Sequence, residues 1–144
     1  MLEPGTRAAT LALLAEAHAL GHDLRVAETF RSSARQAHLF ELGYTKLRTV
    51  GVHKFGLAVD FSLYVNGIYE NDGEKCYTFL LALGKKHLMV SGIDWGLPRQ
   101  VHTFHDWDHL QRVPRCRQQM LFAGTWYPPE VYDPFADQKA MADV

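Results

Sequence analysis

At 144 residues the chain has room for one domain with a full hydrophobic core and too little for two. It is 47% hydrophobic and 22% charged with a formal net charge of -1, so no basic surplus points to nucleic acid and no charge bias points to a membrane surface. Eight histidines are many for this length, whereas two cysteines, Cys76 and Cys116, are too few for a disulfide scaffold and read as reduced thiols of a protein made in the cytoplasm.

The first stretch, MLEPGTRAATLALLAEAHALG, opens with Glu3 and Pro4 and is interrupted by Arg7, Glu16 and His18, which fits neither a secretory signal nor a membrane span. It predicts an amphipathic helix with Leu11, Leu14 and Ala15 at helical spacing, Thr6 as its cap and Gly21 at its end. DLRVAETF alternates as a half-buried strand does, and SSARQAHLFELG then reads as a serine-capped helix, so Arg31 falls at a strand-to-helix junction. GLAVDFSLYV is a second strand with Leu57, Val59, Phe61 and Leu63 on one face, Ala58, Asp60 and Ser62 on the other, and an Asn66-Gly67 turn behind it. GEKCYTFLLALGKKHLM predicts a third helix whose buried stripe is Cys76, Phe79, Leu80 and Leu83. The turn-rich GIDWGLPRQ leads to TFHDWDHLQ, short, aromatic and full of histidine and aspartate. Pro114 opens a last short helix over PRCRQQMLFAG, which closes a single domain over residues 1–124. The tail, residues 125–144, shows no period and is expected to wrap over the surface or to be mobile.

Two imidazoles and one carboxylate, His53, Asp60 and His109, form a donor set that suits Zn2+ with a fourth position left open. His53 lies just before the second strand, Gly56 permits a tight turn, and Asp60 emerges opposite the apolar face, so His109 must arrive from a neighbouring strand. An acid or base is best placed at Asp106, where a carboxylate beside the metal could take a proton from water and pass it to a leaving amine; Asp108 is its rival. Positions 106 and 109 do not share a face in a regular strand, so DWDH must contain a turn or an irregularity. His18, His22, His38 and His87, scattered over predicted helices, read as ordinary surface or core residues, and His102 and His105 as loop histidines flanking the site. Asp60 could instead cap a turn or pair with Arg31.

His53-x2-Gly56-x-Ala58-x-Asp60, followed by Asp106-x2-His109, resembles the zinc peptidases that cut bacterial peptidoglycan, the D-alanyl-D-alanine carboxypeptidase and L-alanyl-D-glutamate endopeptidase group that includes phage endolysins. TFRSSARQ, with Arg31, Ser32 and Gln36, and GIDWG, with Trp95 and Gly96, resemble two further segments of that family, so the likeness runs from about Leu24 to Gln111. The resemblance implies an α+β fold, a small antiparallel sheet with packed helices, related to the hedgehog signalling domain. It implies zinc on His53, Asp60 and His109, Asp106 as general base and then acid, and Arg31 steadying the substrate carbonyl or oxyanion. Two positions depart from the family pattern: Gly51 stands where serine is usual, and Leu110 where an aromatic residue follows the last histidine. The implied substrate is the peptidoglycan stem peptide, with L-alanyl-D-glutamate endopeptidase cleavage ahead of D-alanyl-D-alanine carboxypeptidase action. A hedgehog-like relative can keep the metal without hydrolysis, so a zinc-stabilised wall-binding module is the rival reading. The expected protein is a monomer without nucleic-acid or membrane partners that reaches the cell wall after holin-mediated release.

Overall fold

The computed structural model describes residues 1–45 and 51–143, which form an antiparallel sheet with helices packed on it, the α+β class expected. Helix α1 spans Pro4–Ala19 and is capped by Glu3, not Thr6: the Glu3 carboxylate accepts from the backbone N–H groups of Gly5 and Thr6, at 2.7 and 2.9 Å. Proline at the first helical position sets the helix start one turn earlier than expected. Gly21, at φ 89°, lies just past its end as expected. Its buried face is Thr6, Thr10, Leu13 and Ala17, while Leu11 is exposed and Leu14 only partly buried. The two threonines can be buried because their hydroxyls donate locally, Thr6 to Glu3 at 2.8 Å and Thr10 to the Thr6 carbonyl at 2.7 Å.

Strand β1 (Asp23–Glu28) and helix α2 (Ser33–Glu41), with Ser32 as cap, fall where the sequence places them. Strand β2 (Ala58–Val65) is the centre of the sheet. Along one edge it pairs with β1; along the other it pairs first with β5 (Asp106–Gln111) and, at its far end, with β3 (Ile68–Glu70) across the Asn66-Gly67 turn. Both turn residues have positive φ, 53° and 78°, which suits the twist of a tight hairpin. β4 (Val90–Gly92) adds the last strand beside β5.

Period-two alternation on β2 holds from Val59 onward, where Val59, Phe61 and Leu63 join Leu24, Leu110, Leu13, Leu80, Leu83 and Met89 in the main core. It does not hold at Leu57 and Ala58, which precede and open the strand and are both buried elsewhere. The third helix of the sequence reading is two helices, α3 (Gly73–Cys76) and α4 (Phe79–Lys86). Tyr77 breaks it, because its buried phenol accepts from the Leu63 N–H at 2.9 Å and donates to the Glu70 carbonyl at 2.6 Å, tying that point to the hairpin. Of the expected stripe, Leu80 and Leu83 are buried and Cys76 and Phe79 pack against the core.

A second cluster, Val52, Leu57, Ala58, Val113 and Leu121, holds α5 (Gln118–Ala123) against the start of β2. α5 is not the last helix. α6 (Pro134–Ala142) follows, capped by Asp133 and fixed by polar contacts: Arg117 pairs with Asp137 at 2.8 Å, and Gln138 donates to the Gly96 carbonyl at 2.8 Å. That attachment leaves no apolar period in the sequence to read. No helix among the described residues is long and apolar enough to cross a membrane.

Candidate active site

On the face of the sheet opposite the main core, register places Glu28 of β1, Asp60 of β2 and His109 of β5 side by side in one row across three strands. Cross-strand neighbours stand about 5 Å apart at Cβ, so their side chains must interact. His53 reaches the same row from a short 3₁₀ turn, Val52–Phe55. That turn is closed by Gly56 at φ 71°, where a Cβ would lie 2.6 Å from the Met1 carbonyl oxygen, so only glycine fits. The donor atoms of His53, Asp60 and His109 all lie within 4.8 Å of one another.

The hydrogen bonds behind the two imidazoles fix their tautomers. His53 Nδ1 is 2.7 Å from the Thr29 carbonyl oxygen, which can only accept, so Nδ1 carries the proton and the Nε2 lone pair faces Asp60 Oδ1 at 3.1 Å. Gln111 donates its amide to the Val113 carbonyl at 2.7 Å, which turns its oxygen toward His109 Nε2, also at 2.7 Å. His109 therefore keeps its proton on Nε2 and points the Nδ1 lone pair at the same Asp60 Oδ1, 2.9 Å away. Three lone pairs converge on one spot, an arrangement that requires a cation or an added proton between them. Two borderline nitrogens and one carboxylate are a donor set zinc accepts, and both imidazoles have the outer hydrogen-bond partner that orients metal-binding histidines.

Without a metal the proton fills that role. Burial alone would lower the His109 pKa, but the Asp60 carboxylate outweighs it and raises the value to about 9. Burial likewise works against the Asp60 charge, yet the adjoining His109 and His53 imidazoles hold its carboxyl well below the usual range.

Arg31 lies between Glu28 and Asp60. It donates to Glu28 at 3.2 and 3.0 Å, to Gln36 at 3.0 Å and to Asp60 Oδ2 at 3.2 Å, which occupies four of its N–H groups and leaves one on Nη1. Pairing with Arg31 and facing the two histidines are thus both properties of Asp60, one on each carboxylate oxygen. The departure at Gly51 has a steric counterpart: a Cβ there would meet the Gln36 side-chain oxygen at 2.9 Å. Leu110 is fully buried in the core, so its departure bears on packing beneath the sheet and not on the cleft.

Strand β5 is irregular, as DWDH demanded. Ser91 and Gly92, consecutive on β4, face Leu110 and Asp106 on β5. A Cβ on Gly92 would sit 2.4 Å from the Asp106 carbonyl oxygen, so glycine allows the close approach at this bulge. Asp106 Oδ2 consequently stands 4.0 Å from His109 Nδ1. Asp108 is nearby, and burial, reinforced by Asp60 and Asp106, pushes its carboxyl up to about 8, so that at neutral pH it keeps its proton.

An open cleft of about 520 Å³ lies over the row, and His53, Asp60, Asp106, Asp108, His109 and Arg31 all line it. The Trp95 ring packs 5.7 Å from that of His109, its N–H donating to the Phe104 carbonyl at 3.1 Å. His102 also lines the cleft and bonds the Leu97 carbonyl oxygen at 2.9 Å, and His105 bonds that of Ile93 at 2.7 Å, so both pin the loop beside the site. His18, His22, His38 and His87 lie outside the cleft lining. Sequence reasoning missed Glu28, Gln111 and Arg115, all three of which line the cleft. Gln111 was findable, two residues beyond His109 on the same strand face; Glu28 depends on cross-strand register, and no signal marked Arg115.

No protein-family model matches the sequence, and no curated protein matches it. The fold is shared with solved structures. The Serratia marcescens L-Ala D-Glu endopeptidase ChiX superposes with a TM-score of 0.60 at 19% identity, over 76% of this chain and 79% of that one. The LD-carboxypeptidase LdcB gives 0.55 at 20% identity, over 85% and 71%. The vancomycin-resistance D,D-pentapeptidase VanY of the VanB-type cassette, a mutant in complex with Zn(II), gives 0.56 at 17% identity, over 85% and 79%. At such identities the likeness establishes the fold.

Proposed function

We propose that this protein is a zinc-dependent peptidase of peptidoglycan stem peptides, with His53, Asp60 and His109 as metal ligands. The observation that carries the reading is the convergence of three lone pairs on one spot in the floor of a cleft, with a fourth acceptor, Asp106, beside it. Zinc held there supplies a Lewis acid that polarises an amide carbonyl and lowers the pKa of water. Asp106 takes the proton of the attacking water and returns it to the leaving amine. Asp108 is the less suited of the two, because burial and the carboxylates of Asp60 and Asp106 push its carboxyl up and favour its protonated form. Arg31, locked by Glu28 and Gln36, holds Asp60 in place and keeps one N–H for the substrate oxygen on which charge develops.

The finer reading is endopeptidase action at the L-alanyl-D-glutamate bond, supported by the sequence resemblance and by the fold shared with the Serratia endopeptidase. The protein acts on the cell wall as a monomer, released from the cytoplasm as endolysins are. A base-deficient wall-binding module would have no use for the Asp106 and Arg31 geometry. Mass spectrometry of purified peptidoglycan after incubation with the zinc-loaded protein tests the reading. New L-alanine carboxyl and D-glutamate amino termini support it; release of free D-alanine moves the activity to carboxypeptidase; no new termini overturn hydrolysis.

A further inference from the structure

Among the described residues, two guanidinium groups line the cleft, in opposite circumstances. Arg31 is buried and neutralised by Glu28 and Asp60. Arg115, at the start of the helical turn after β5, is exposed, and among the described residues its side chain has no ion pair or hydrogen bond. Its guanidinium carbon lies 5.5 Å from the centre of the Trp95 ring, which also neighbours the rings of His109 at 5.7 Å and Phe104 at 6.1 Å. Stacking on an aromatic face restrains a guanidinium while leaving its N–H edge free for planar, two-pronged bonding. One aromatic ring thus separates a free cation from the reacting centre, a span of at most about three residues of extended peptide. Arg31, the other guanidinium among the described lining residues, is committed to Glu28 and Asp60, which leaves Arg115 as the one available to an anionic substrate group.

We propose that Arg115 is the residue by which this cleft recognises a carboxylate of its peptide substrate and thereby sets the register of the chain over the metal ligands. The inference rests on the peptidase reading above. A stem peptide offers two such groups, the α-carboxylate left free on γ-linked D-glutamate and the C-terminal carboxylate. Binding the first aligns the L-alanyl-D-glutamate bond, and binding the second aligns a bond near the terminus.

Three synthetic stem peptides test it with the zinc-loaded protein: both carboxylates free, the D-glutamate α-carboxylate amidated, and the C-terminus amidated. For the wild type, one of the two amidations lowers kcat/KM about tenfold or more, chiefly through KM, on the scale of a charged hydrogen bond. Arg115→Ala loses a similar factor on the free peptide and is indifferent to that same amidation, while Arg115→Lys keeps part of the preference. Which amidation matters identifies the carboxylate. A residue that merely props Trp95 would depress all three peptides equally; that result, or a wild-type preference that survives in Arg115→Ala, overturns the assignment and leaves the peptidase reading intact. A zinc-loaded wild type that cuts none of the three overturns both.

Discussion

The two faces of β2 are built on opposite physics. On one, Val59, Phe61 and Leu63 are almost wholly buried among aliphatic side chains, and the free energy comes from apolar area removed from water. On the other, Asp60 is held by Arg31, His53 and His109, groups whose desolvation is offset only by each other. The apolar face stabilises the fold without needing any ligand, whereas the polar face turns three lone pairs toward one point and offers a site to a cation. Substitutions should therefore separate stability from activity according to the face they touch.

The largest effect is expected on the polar side. Asp106→Asn keeps size but cannot take a proton, so peptidoglycan clearing should fall by about 10²- to 10⁴-fold with zinc content unchanged. Asp108→Asn, in which an amide replaces a carboxyl already neutral near pH 7, should stay close to wild type. Turbidity clearing, with zinc measured in the same samples, checks both, and an inactive Asp108 variant beside an active Asp106 variant would reverse their roles. On the apolar side, Phe61→Ala should cost about 3–5 kcal/mol in chemical denaturation while the protein that remains folded keeps its zinc. Arg31→Ala lies at the junction of strand and cleft; it should bind metal and lose about 10²-fold in kcat, the scale of one oxyanion donor.

A smaller effect is set by protons. In the metal-free protein His109 has a pKa raised from 6.5 to about 9, so its contribution to stability is complete below 6.5 and is lost as pH rises through about 9. The Asp60 contribution is present above its ordinary value of 3.8 and disappears in acid. Metal must displace the His109 proton, so apparent zinc affinity should climb by about tenfold per pH unit between pH 7 and 9. Competition titrations against a chromophoric chelator would show it, and a flat profile would remove His109 from the ligand set.

Features that depend on local period were legible in the sequence. Asp60 stands out because an alternating strand should not carry a carboxylate without a partner, and the serine cap and terminal glycine framed α2. Features that depend on which strands meet were hidden: Glu28 enters the site only through the β1–β2 register, with its irregularity between Val26 and Glu28. The i, i+3 spacing of Asp106 and His109 called for an irregular strand, but the choice of Asp106 over Asp108 rested mostly on the family resemblance. Thr6 and Thr10 displaced Leu11 from the buried face of α1 by satisfying their hydroxyls internally, and α6 escaped notice because ion pairs and amide contacts hold it.

In the proposed metal site His53 and His109, with tautomers fixed by Thr29 and Gln111, hold one cation against Asp60. Elemental analysis of the purified wild type beside folded His53→Ala and His109→Ala variants tests it most directly. One zinc per wild-type chain and far less in each variant, with circular dichroism unchanged, is the predicted result; stoichiometric zinc in both variants would contradict it.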